Sequence, residues 1–132
     1  EDRPPMPDQG ELIERLDAMI VSLVKPLLPA DAVQRYNTET LGSVLDRLSI
    51  LSLKIFHMAE QATRGDVGQE HRDQCSAKTA VLEEQHQDLQ WAGLDLLEEY
   101  RQGLKQPKVY HQFKMYNDPK LNPELYNAGQ GS

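Results

Sequence analysis

The amino-acid sequence predicts an all-α fold, an antiparallel bundle of three long helices with a C-terminal segment packed across the central helix. Three observations carry this. Apolar residues recur at three-and-four spacing along three stretches of the chain. Breaks marked by proline and glycine separate the stretches, at Pro26 and Pro29, at TRGDVG (63–68), and at Gly103 and Pro107. The chain has 132 residues, enough for one domain and little more. That domain is expected over residues 8–126, with 1–7 and 127–132 as disordered ends.

Helix 1 is expected over about 9–28. Asp8 and Glu11 have the spacing of a capping box. Leu12, Ile13, Leu16, Met19, Ile20, Leu23, Val24 and Leu27 form its apolar face, while Glu14, Asp17 and Ala18 take the other. Pro26 and Pro29 kink and end it. A turn follows, with room for one helical piece at 31–36, and Asn37 or Thr38 is the expected next cap.

Helix 2, about 40–63, carries the clearest pattern. Leu41, Val44, Leu48, Leu51, Ile55, Met58 and Ala62 alternate steps of three and four, a heptad seam. Leu45, Ser52, Phe56 and Ala59 widen it. Ile50 and Leu53 fall on the opposite face, so helix 2 is expected between two layers. Helix 3, about 69–103, is roughly 50 Å long at 1.5 Å per residue. It overhangs its neighbours while keeping an apolar stripe of Leu82, Leu89, Leu96 and Leu104. An overhanging stripe needs a partner, and a homodimer is the expectation.

The segment 105–126 is polar and rich in Pro and Asn. KVYHQFKMY reads equally as extended chain or as two helical turns, and it is expected to dock over Ile50 and Leu53. Residues 105–132 hold four basic and two acidic side chains, whereas the whole chain has a net charge of −7. That balance excludes nucleic acid as the main partner. No apolar run approaches the roughly 20 residues that span a bilayer, so no transmembrane segment is expected. The start EDRPPMPDQG is acidic and proline-rich, so no signal peptide is expected either. Cys75 is the single cysteine, which rules out an internal disulfide framework and points to a reducing cytoplasm.

The run TLGSVLDRLSILSLKIFHMAEQ (40–61), with KVYHQFKMYNDPKLNP (108–123), resembles the bacterial family known as domain of unknown function 4254. Its members are small helical proteins whose genes lie among glycosyltransferases and envelope polysaccharide genes. The resemblance implies an accessory role in surface glycan or lipopolysaccharide biosynthesis. It carries no assigned reaction.

Candidate sites follow from the residues. Asp46, Arg47, Lys54, His57 and Gln61 line the second face of helix 2, and a docked tail brings Lys114, Tyr116, Asn117 and Asp118 near them. Such a cluster can hold a sugar phosphate or nucleotide sugar; it serves equally as a salt-bridged docking surface. Ile50, Leu53, Trp91 and Leu94 are apolar on otherwise polar faces and are the protein-interface candidates. Glu83 and His86 have the Glu-x-x-His spacing of carboxylate-bridged di-iron bundles, but lack the second copy such sites need. Glu11 with Glu14, and Glu70 with Asp73, resemble magnesium-holding acidic pairs, yet both sit where helix N-termini favour acids anyway. Cys75 has Lys78 one turn away and no evident His base, and no phosphate-cradling glycine loop is present. No metal or other cofactor is expected. The resulting expectation is a non-catalytic scaffold assisting glycosyltransfer through a glycosyltransferase partner; the alternative is a small enzyme or binder of a sugar phosphate.

Overall fold

The computed structural model of the chain describes residues 8–113 and Lys120. Among these the fold is all-helical, with three helices and no strand: α1 (Gln9–Val24), α2 (Leu41–Ala62) and α3 (Gln69–Arg101). Among the described residues no helix is long and apolar enough to cross a membrane.

Asp8 starts α1, its Oδ1 accepting the Glu11 N–H at 2.8 Å. The helix stops at Val24 rather than continuing to residue 28. Pro26 has no N–H for the α-ladder, and Lys25–Leu27 tighten into a 3-10 turn. The connector holds no helical piece at 31–36, because its backbone pairs with the end of α3. Val33 N–H donates to Gly103 O at 2.8 Å, and Gln106 N–H donates to Arg35 O at 2.8 Å. Tyr36 and Gln106 form an isolated parallel bridge.

The cap of α2 falls on Thr40 instead of Asn37 or Thr38. Asn37 donates its amide to Glu39 O and accepts from Lys105 Nζ at 3.2 Å, which ties it to the connector. Thr40 Oγ1 accepts the Ser43 N–H at 3.1 Å. At the other end of the fold, Gly103 closes α3 with φ 73°, a left-handed conformation that glycine adopts at little cost. Its N–H bonds Tyr100 O at 3.0 Å and the next N–H, of Leu104, bonds Glu99 O at 2.9 Å, a Schellman pair.

The seam read along α2 packs on α3. Leu41 and Val44 are buried, and Leu48, Leu51, Ile55 and Met58 are half-buried. Leu41, Leu96 and Tyr100 form the core cluster, with Ile20 and Val24 of α1 against it. Burial, followed by the nearby charge of Asp17, pushes the Tyr100 phenol up to about 12.

Asp17 corrects the sequence reading most sharply. Expected on the outer face of α1, it is only 2% exposed. Its carboxylate accepts from Thr40 Oγ1 at 2.5 Å and from Gly42 N–H at 2.8 Å, joining α1 to the start of α2. The two backbones meet closely here: a Cβ on Gly42 would lie 2.6 Å from Asp17 Oδ1 and 2.8 Å from Ile13 O. A further link holds the start of α1, where Gln9 Nε2 donates to Asp46 Oδ2 at 2.6 Å.

Past α3 the chain turns back along α1 and the connector. Lys105 pairs with Glu99 at 2.9 Å, His111 Nδ1 lies 2.8 Å from Glu14 Oε1, and Gln112 packs beside Gly10. Lys108 sits over the Tyr36 ring at 4.8 Å and the Tyr110 ring at 5.6 Å. These contacts fall on α1 and the connector. Residues 105–113 of the segment thus lie away from Ile50 and Leu53, where docking was expected, because their partners Glu14, Gly10 and Tyr36 belong to α1 and the connector; residues 114–119 and 121–126 lie outside the described ones.

Candidate functional site

Two grooves flank the α2–α3 seam, and they differ in chemistry. The first, of about 630 Å³, brings Arg47 and Lys54 of α2 opposite Gln85 and Asp88 of α3, over an apolar floor of Leu51 and Leu89. Heptad spacing puts the two cations on one side of the helix, as the sequence indicates. Their surroundings dilute the positive charge. Arg47 lies 4.0 Å from Glu39, Asp88 shares the groove, and the adjoining cleft holds Glu39, Asp95 and Glu99.

The remaining members of the expected polar set do not converge there. Asp46 turns toward α1, where it meets Gln9. His57 stands eleven residues further along, roughly 16 Å by helical rise, with Glu60 at 3.7 Å and the Phe56 ring edge-on at 5.7 Å. Gln61 accepts from Arg64 and lies 3.1 Å from His71 Nε2. Ile50 lines the first groove, and Leu53 is exposed beyond it. Lys114, Tyr116, Asn117 and Asp118 lie outside the described residues.

The second groove is apolar. Leu41, Val44, Leu45 and Leu48 of α2, Gly93, Leu94 and Leu97 of α3 and Ile20 of α1 line it. Its volume is about 450 Å³, and Gln90 is the one polar side chain among its lining residues. Leu94 thus belongs to a groove shared by three helices. Trp91, 58% exposed, stands outward on α3.

The metal candidates stay apart. His86 is half-buried with its Nε2 3.2 Å from Ser52 Oγ, and Glu83 is exposed. Glu14 meets His111, and Asp73 accepts from Gln69 Nε2 at 2.7 Å. Among the described residues no three His, Cys, Asp or Glu side chains are placed to hold a metal ion.

Two placements were not drawn from the sequence. Cys75 does have a histidine neighbour: His71 Nε2 lies 3.6 Å from its sulfur, at the i, i+4 spacing that juxtaposes side chains on a helix. The thiol is nevertheless buried. Asp17 is the other, and its signal was present, since residues 13, 17, 20 and 24 share one helical stripe. There burial is the larger influence and pushes the carboxyl up, while the Thr40 and Gly42 hydrogen bonds pull it down.

A family model described as protein of unknown function (DUF4254) matches residues 8–109. No curated protein and no solved structure matches the chain.

Proposed function

The chain belongs to the DUF4254 family, and from that premise we propose that it is a non-catalytic accessory protein assisting glycosyltransfer in cell-envelope polysaccharide or lipopolysaccharide biosynthesis. It acts in the cytoplasm as a homodimeric antiparallel bundle and contacts a glycosyltransferase. The pathway and partner come from the family resemblance. The binding role is supported by one observation above all: large apolar side chains stand exposed on all three helices, among them Met19 at 60%, Leu53 at 59%, Phe56 at 59% and Trp91 at 58%. Exposed apolar side chains on every helix offer surface for a partner to cover. The antiparallel reading is supported by the pairs Leu41–Leu96, Val44–Gly93 and Ser52–His86, which run in opposite order along α2 and α3.

Co-expression with the envelope glycosyltransferases of the same bacterium tests this. Retention of one enzyme through two purification steps, and its loss on Trp91→Ala or Leu53→Glu with the helical content intact, is the expected result. Failure of every such enzyme to co-purify overturns the partner.

The groove holding Arg47 and Lys54 favours one other reading, a binder of a sugar phosphate or nucleotide sugar. Calorimetric titration with nucleotide sugars separates the two. Under the accessory reading no heat of binding appears; under the alternative, affinity falls at least tenfold in Arg47→Ala and Lys54→Ala.

A further inference from the structure

We propose that the apolar groove between α1 and α3 seats a second copy of this chain, the α1 ridge of each copy lying in the groove of the other. The inference rests on the dimer reading above and assigns it a surface.

Self-complementarity argues for a second copy. On α1, Leu16, Ile20 and Leu23 recur at steps of four and three, which builds a ridge, and Leu27 follows in the 3-10 turn beyond Val24; Leu23 is 68% and Leu27 80% exposed. The groove beside it is lined by Leu45 and Leu48 of α2 and by Leu94 and Leu97 of α3. Ile20 belongs to both ridge and groove, so the two features lie on one face. A two-fold contact requires this arrangement, because the same patch must supply both halves of the fit.

Charge points the same way. Each copy carries −7, and like-charged copies repel wherever ionisable groups face each other. The residues lining this groove include none. The available area is also of the right order. Met19, Leu23, Leu27, Leu45, Leu94 and Leu97 are each 45–80% exposed. They offer roughly 200–400 Å² of apolar surface per copy. That is a large share of the ~450 Å² that one side of a standard interface supplies.

A charge-swap experiment on the full chain tests the surface, read by sedimentation velocity and native mass spectrometry, with circular dichroism to check helical content. The wild type is expected to be a dimer at micromolar concentration. Leu23→Glu and Leu94→Lys should each weaken it at least tenfold, and an equimolar mixture of the two should recover a heterodimer of the summed mass. Should Leu23→Glu fail to fold, Leu27→Glu, at a more exposed position, takes its place in the mixture. Single variants that remain dimeric overturn the proposal, as does a mixture of folded monomers that fails to pair. A dimer that only Trp91→Glu dissociates keeps the dimer reading and sinks this surface; a wild type that stays monomeric sinks both.

Discussion

The two ends of α2 are held by different means. At the first end, Thr40, Leu41 and Val44 are 3–8% exposed, Asp17 stitches α1 to the helix start, and Leu96, Tyr100, Ile20 and Val24 close over it. At the far end α3 is the element that packs on the seam among the described residues. Ile55 and Met58 are half-buried there, Phe56 is 59% exposed, and the cross-links are the polar contacts Ser52–His86 and Gln61–His71. The contrast separates two uses of apolar residues. One end buries them to hold the fold; the other leaves them exposed.

The largest effect is expected where the core cluster sits. Leu96→Ala should cost about 2–5 kcal/mol, because it empties a site lined by three helices. Urea unfolding measures this, and a loss under about 1 kcal/mol would mean that the first end is no better packed than the second.

Asp17→Ala comes next, at about 2–3 kcal/mol, since it leaves the Thr40 hydroxyl and the Gly42 N–H buried without their acceptor. Asp17→Asn isolates the charge. The folded carboxyl titrates above its ordinary 3.8. The folded state therefore holds the proton more tightly than the unfolded chain does. The resulting stability is fully present below about pH 4 and is lost as pH rises through the folded pKa. Melting of wild type and Asp17→Asn from pH 4 to 8 should show the wild-type advantage greatest in acid. An advantage that grows with pH would contradict the burial argument.

Gly103→Ala should cost about 1–2 kcal/mol through its left-handed backbone alone, with more from a Cβ placed 2.8 Å from Pro29 Cγ. At the second end the effects should nearly vanish. Ser52→Ala and Phe56→Ser are each expected within about 0.5–1 kcal/mol of wild type by urea unfolding. A loss of 2 kcal/mol at Phe56 would place it in the core and erase the contrast.

Local patterns were legible in the sequence and long-range ones were not. The α2 seam from Leu41 to Met58 follows from spacing alone, because one helix face needs no knowledge of its partner. The pairing of Arg47 with Lys54 is visible for the same reason. Their neighbours Gln85 and Asp88 depend on the register between α2 and α3, which no single-helix pattern encodes. Asp17 was hidden by its charge: the stripe pointed inward, but a carboxylate reads as solvent-facing until its donors, 23 and 25 residues away, are known. The cap of α2 moved to Thr40 because Asn37 is engaged by Lys105, 68 residues distant.

The knot at Gly103 bears on how the chain finds its structure. Gln106 Nε2 and Val33 O are 73 residues apart in sequence yet 3.1 Å apart in space. Closing so long a loop in an open chain is entropically slow. The α2–α3 hairpin forms from near neighbours and brings Leu41 beside Tyr100, so that only short lengths of chain remain to be joined. The hairpin is thus expected to form first, with the connector, residues 102–113 and α1 joining it later.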